Sequence, residues 1–184
     1  MATEMPEIIF LCGFSGSGKT EVGEILANKL KYNFTDTDEV VEGQTNKSIP
    51  EIFAQMGEHR FRFMENDVMR MAMQRPPHVI SLGGGTIQSA QVLEYVKTYG
   101  FLVFLETSVE NIYERLQGSH MRPLLQMVAK NSDDPEKAIK ERIERLYAER
   151  VKYFDEADAR VSTDGKSSEE VACEIEELLK KDDA

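Results

Sequence analysis

The residues best suited to chemistry are Gly13-Phe14-Ser15-Gly16-Ser17-Gly18-Lys19-Thr20. They fit G-x-x-x-x-G-K-[ST], a phosphate-binding loop. Glycines at Gly16 and Gly18 let the backbone turn without a Cβ, so that successive N–H groups, Ser17 included, surround an anion. Lys19 is expected to reach the outer phosphates, and the Thr20 hydroxyl to ligate Mg2+. Further on, Asp36 and Asp38 flank Thr37. In an extended segment both carboxylates would point to one side. Such a pair could hold Mg2+ through water and accept a proton from an attacking hydroxyl. The same aspartates equally suit an Asx-turn or the N-cap of a following helix. Gly83-Gly84-Gly85 reads either as a flexible turn or as bare backbone against which a ligand can lie.

Arginines supply the complementary charge. Arg62 has Glu58 four residues before it and Glu65 three after, all on one helical face. Glu65 could orient the guanidinium, or the set could be a surface ion pair of little worth. Arg150 occupies a slot in the stripe Ile139, Ile143, Leu146, Tyr147, Tyr153, Phe154 that helical spacing assigns to the buried face. It either snorkels to the rim or meets an anion, for which a guanidinium offers two-pronged recognition of a carboxylate. Arg115 closes a helix, and Arg122 sits in a polar, aperiodic segment at 118–134. A mobile segment carrying an arginine can close over ATP and stabilise the transferring phosphoryl group. His59, His78 and His120 show no metal-ligand spacing.

The scaffold for these residues follows from periodicity. Short apolar runs predict strands at 8–12, 32–35, 78–82, 101–105 and 159–163. Helical spacing predicts helices at 19–31, 48–74, 90–98, 109–116, 135–155 and 167–181, with Ser167 as an N-cap. Strand and helix alternate from end to end, which implies a parallel sheet with helices on both faces. Ligands of such sheets sit at the carboxyl ends of the strands. The first three strands run there into the phosphate loop, the aspartate pair and the three glycines.

At 184 residues the chain is expected to be one domain spanning 1–184. Its net charge of -11 argues against a general nucleic-acid binder, which needs clustered Lys and Arg. From Asp164 onward eight acidic residues face three lysines, so the last helix presents a solvated acidic face. Cys12 and Cys173 lie outside any metal-type spacing, and reduced, buried roles are expected. The segment MATEMPE lacks the basic and apolar stretches of a signal peptide, and no window has the apolar length of a spanning helix. A cytoplasmic protein that binds no membrane is expected.

Together these residues resemble the shikimate kinase family over nearly the whole chain. The resemblance rests on GFSGSGKT at 13–20, DTDE at 36–39, SIPEIF and GEHRFRFME between Ser48 and Glu65, SLGGGT at 81–86, RLQG at 115–118, RPLL at 122–125, and Arg150 in RVKYF. It implies a three-layer α/β/α P-loop kinase fold with a five-stranded parallel sheet of order 2-3-1-4-5. A substrate-binding helical region at about 37–75 and a mobile lid at about 118–134 belong to that fold. The implied reaction moves the γ-phosphoryl group of ATP to the 3-hydroxyl of shikimate, giving shikimate 3-phosphate and ADP in aromatic amino-acid biosynthesis, with Mg2+ and as a monomer. The resemblance also implies site roles. Asp38 binds shikimate hydroxyls and serves as the base; Arg62 and Arg150 grip the carboxylate; the backbone of Gly83, Gly84 and Gly85 lines that pocket. Thr20 and Asp36 belong to the Mg2+ environment, Lys19 and Arg122 contact phosphates, and Arg115 lies near the adenine. Lys152-Tyr153-Phe154 and Glu21 depart from residue types common in the family. The rival expectations are another small kinase of a carboxylate sugar, such as gluconate kinase, or a nucleotide-binding module without catalysis. The aspartate pair together with F-R-x-x-E discriminates against the first.

Overall fold

A computed structural model describes residues 5–116 and 132–181. Five strands form one parallel sheet: β1 (Ile8–Gly13), β2 (Asn33–Asp36), β3 (His78–Ser81), β4 (Phe101–Glu106) and β5 (Ala159–Ser162). Their spatial order is β2-β3-β1-β4-β5, with every neighbouring pair parallel. The apolar runs are continuous because both faces are covered, and their residues part by the two-residue period of a strand. Ile9, Leu11, Val103 and Leu105 pack on one side against Val22 and Leu26 of α1 (Lys19–Leu30) and Val171 and Ile175 of α8 (Ser168–Lys181). Ile8, Phe10, Leu102 and Phe104 face the other way. There they meet Met69 of α4 (Glu58–Met73), Val96 of α5 (Ala90–Tyr99) and Phe154 of α7 (Pro135–Phe154). Each such side chain contributes about 1.5–3 kcal/mol on burial, so two such layers hold the sheet rigid beneath the site.

Two smaller cores flank these layers. Phe14, Ile112 and Leu116 of α6 (Val109–Leu116) pack on Ile139, Ile143 and Leu146 of α7. Val41 of α2 (Thr37–Thr45), Ile52 of α3 (Ile49–Met56) and Phe61 and Val68 of α4 form the other. The predicted helix at 48–74 is thus two helices, preceded by a third over 37–45 that periodicity did not reveal. The break is at Gly57, whose φ of 80° lies in the region glycine enters without steric cost. Its N–H still closes α3 on the Phe53 carbonyl at 3.1 Å. The predicted cap at Ser167 is present: its Oγ accepts from Glu170 N at 3.3 Å, and Glu170 Oε2 accepts from Ser167 N at 2.7 Å. Cys12 is buried, and burial pushes its thiol up to about 12, which leaves it unreactive. No helix among the described residues is long and apolar enough to cross a membrane. Of the lid expected at about 118–134, residues 118–131, Arg122 among them, lie outside the described residues.

Candidate active site

The phosphate loop links β1 to α1 through two left-handed glycines, Gly16 at φ 85° and Gly18 at φ 89°. Gly18 is the N-cap of α1 and brings no side chain to its first N–H groups, which therefore stay available to an anion at the positive end of the helix. Lys19 is buried, and its Nζ donates to the carbonyls of Gly13 at 3.2 Å and Phe14 at 2.8 Å. The ammonium is thereby held against the loop it would serve. Arg115 reaches across from α6, donating through Nη1 to the Gly16 carbonyl at 3.2 Å and through Nη2 to the Thr163 carbonyl at 3.4 Å. It ties the loop to the segment after β5.

Asp36 caps the helix that follows it and also meets the phosphate loop. Its Oδ1 accepts from Asp38 N at 2.9 Å and Glu39 N at 3.3 Å, capping α2. Its Oδ2 accepts from the hydroxyls of Thr20 and Ser81, each at 2.7 Å. Ser81 reaches it because β2 and β3 pair with Asp36 opposite Ser81. A hydroxyl at the loop mouth backed by a carboxylate, with no thiolate or imidazole beside it among the described residues, suits a hard, oxygen-seeking cation such as Mg2+. Among the described residues no group of three or more His, Cys, Asp or Glu could hold a metal. Phosphate oxygens and water would complete the shell, as is usual for this ion.

The aspartates do not share a side as an extended segment would require. The chain turns helical at Thr37, so Asp38 leaves Asp36 and aims at Gly83. A Cβ added to Gly83 would collide with Asp38 Oδ1 and Glu65 Oε1, and one added to Gly85 with Arg62 Nη2. At Gly84 the added carbon would stand 3.1 Å from Ser15 N of the phosphate loop. The three glycines are a cradle: charged groups of other elements fill the empty Cβ positions at Gly83 and Gly85, and the phosphate-loop backbone stands at that of Gly84. Thr37, fully buried, pins the cradle by accepting from Gly83 N at 3.0 Å and donating to the Ser81 carbonyl at 3.3 Å. Arg150 donates through Nη1 to the Gly84 carbonyl at 2.9 Å, and its guanidinium lies 5.3 Å from the Phe14 ring centroid. It is half-buried and faces inward, as its place in the stripe predicts.

Arg62 donates to Glu65 Oε2 at 2.5 Å and to Glu58 Oε1 at 3.0 Å. Glu65 is no surface partner. It is fully buried, and its other oxygen accepts from Thr86 Oγ1 at 2.7 Å. Burial raises its carboxyl above the ordinary range; Arg62 pulls it back, and the nearby Asp38 charge raises it again. Thr37, Ser81 and Thr86 were not singled out from spacing. Their place beside the aspartate pair and the glycine run was the available signal.

A testable contrast follows from the glycines. Gly83→Ala forces a methyl group between two carboxylates, and strain of this kind costs about 1–3 kcal/mol. Gly43, inside α2, has nothing within 4 Å of an added Cβ, so Gly43→Ala should stabilise by roughly 1 kcal/mol through helix propensity. Thermal melts should move in opposite directions, with activity lost only in Gly83→Ala. Equal behaviour of the two variants would show that the cradle is not tight.

The comparisons with known proteins point the same way as this geometry. A family model described as Shikimate kinase matches residues 15–180. The chain is 38% identical over 180 residues to a shikimate kinase of Chlorobium chlorochromatii, covering 96% of this chain and 90% of that protein. To one of Thermodesulfovibrio yellowstonii it is 38% identical over 167 residues, covering 91% of each. Among solved structures, shikimate kinase from Acinetobacter baumannii in complex with shikimate superposes with a TM-score of 0.84 at 32% identity, covering 97% of this chain and 96% of that one. A gluconokinase from Sinorhizobium meliloti reaches a TM-score of 0.59 at 19% identity over 98% of this chain and 95% of its own. That likeness extends to the fold alone.

Proposed function

The chain belongs to the shikimate kinase family and is an ATP-dependent phosphotransferase, and from that premise we propose how its residues divide the transfer of the γ-phosphoryl group to the 3-hydroxyl of shikimate. The observation that carries the reading is the convergence of Asp38, Glu65, Arg62 and Arg150 on Gly83–Gly85, with Gly84 against the phosphate loop. One side of this cradle is anionic and suits hydroxyls; the other is cationic and suits a carboxylate. Asp38 takes the proton of the attacking hydroxyl and fixes its neighbour. Arg62 and Arg150 grip the ring carboxylate, and the glycine backbone lets the ring lie close. The N–H groups of the loop and Lys19 hold the phosphates, Arg122 joins them from the lid at 118–134, and Arg115 flanks the adenine. Thr20 and Asp36 would hold Mg2+, which would supply neutralisation of the phosphate charge. The unit is a single domain over 1–184, with the acceptor-binding helices at about 37–75, working as a cytoplasmic monomer.

Coupled ADP release, measured side by side with shikimate, quinate and gluconate, tests the substrate. Shikimate should give by far the highest kcat/KM. Faster turnover of gluconate would overturn the reading.

Arg150 offers a sharper test. Arg150→Lys keeps the charge but loses the two-pronged geometry. A charge-assisted pair is worth about 1.5–3 kcal/mol, so the KM for shikimate should rise roughly ten- to hundredfold, while that for ATP changes much less. A silent lysine variant, with Arg150→Ala costing only stability, would mean that Arg150 serves packing on Phe14.

A further inference from the structure

Arg62 is engaged by two carboxylates of different character. Glu65 takes Nη1 at 2.5 Å, and Glu58 Oε1 accepts from both Nε at 3.3 Å and Nη2 at 3.0 Å. The Nε–Nη2 side is an edge on which a guanidinium receives a carboxylate with two parallel donors. Glu58 therefore stands where an incoming carboxylate could dock. Glu65 is fully buried and held by Thr86, whereas the Glu58 side chain is 59% exposed. Glu58 also opens α4 directly after the Gly57 break, on the outermost turn of the helix.

Arg62 does not depend on Glu58 for its position. Its guanidinium lies 5.2 Å from the Phe61 ring centroid and 6.0 Å from that of Phe53. It rests against Gly85 where a Cβ would otherwise stand. The buried Glu65 fixes its Nη1 end. With those anchors in place, swinging Glu58 out to water sacrifices only an exposed ion pair, which is worth little.

Resting on the reading of Arg62 as a grip for the acceptor's carboxylate, we propose that Glu58 is a specificity-determining competitor, an internal carboxylate that occupies the Nε–Nη2 edge of Arg62 until the acceptor's carboxylate displaces it. An anionic acceptor exchanges one carboxylate for another and gains Arg150 as a second partner. A neutral acceptor has nothing to exchange and leaves the pair closed. Discrimination of this kind acts by burdening the wrong ligand as well as by favouring the right one.

The test uses the full chain and shikimate itself, with Glu58→Gln, Arg62→Ala and the double variant compared by calorimetry and steady-state kinetics. Glu58→Gln keeps the side-chain length and an acceptor oxygen but drops the charge. It should tighten the Kd for shikimate about two- to fivefold, the range of an exposed ion pair, and lower the KM with it. The KM for ATP should move less. In the Arg62→Ala background the same change should have no effect, because there is no edge left to contest. A weaker or unchanged Kd in folded Glu58→Gln, alongside a strong loss in Arg62→Ala, would overturn the competitor role while leaving the carboxylate grip standing. If Arg62→Ala itself leaves shikimate binding intact, the grip fails, and the competitor role fails with it. Thermal melts of each variant separate binding changes from unfolding.

Discussion

Replacing Lys19 by alanine should reduce phosphoryl transfer by about a hundred- to a thousandfold or more, the loss seen when one preorganised donor to transition-state charge is removed. The reason lies in where the ammonium sits. It is buried, held by the carbonyls of Gly13 and Phe14, and therefore close to any phosphate that binds the loop's N–H groups. In phosphoryl transfer the protein contributes positioning and charge stabilisation far more than covalent chemistry. Removing a fixed positive charge at that point cannot be offset by raising ATP. The loop itself should persist, because Gly16 and Gly18 keep their left-handed turns and α1 keeps its packing on the sheet through Val22 and Leu26. Coupled ADP release at saturating ATP and shikimate, with a thermal melt as control, measures both. Near-normal turnover in a folded variant would refute the role assigned to Lys19.

Asp38→Asn should have the next largest effect. The amide keeps the shape of the side chain and loses both the charge and the basicity. General base catalysis contributes typically 10²–10⁴-fold, so a fall in kcat of about that size is expected, with a smaller change in the KM for shikimate. Stability should hold or rise, because Asp38 and the buried Glu65 crowd the same point beside Gly83. Removing one of the two charges relieves that opposition. The ratio of kcat to KM effects is the informative measurement. A drop of only a few-fold in kcat with a large rise in KM would show that Asp38 positions the hydroxyl and that proton abstraction adds little, as a loose transition state permits.

Much of this protein was legible from residue order alone. A parallel sheet buried on both faces writes itself as continuous apolar runs, so β1 at Ile8–Gly13 and β4 at Phe101–Glu106 stand within a residue of their predicted ends. The phosphate loop is legible because its conformation is local: two glycines, a lysine and a hydroxyl close on one another within eight residues. Arg150 was legible as an inward arginine because the period of α7 assigns its direction. The family followed from the order of such motifs along the chain.

What spacing could not decide are contacts between elements far apart in sequence and directions at the point where one element becomes another. Asp36 and Asp38 alternate in the sequence, yet they part because the strand turns helical between them, so one faces Thr20 and the other Gly83. The helix over 37–45 was hidden because it buries little of itself, with only Thr37 and Val41 covered along its length. Gly57 breaks the long helix through a backbone conformation that carries no periodic signal. Glu65 illustrates the limit most clearly. Sequence placed it on one helical face with Arg62, and left open whether it orients the guanidinium or forms a surface ion pair of little worth. The tertiary structure buried it fully, gave Thr86 to its second oxygen and set it next to Asp38. Burial is a property of what packs over a residue, and here that is the glycine cradle from the end of β3, some twenty residues further along the chain. Residue types and their spacing determined which chemistry this protein carries; the packing of α2, α4 and α7 around three bare glycines decided where that chemistry meets.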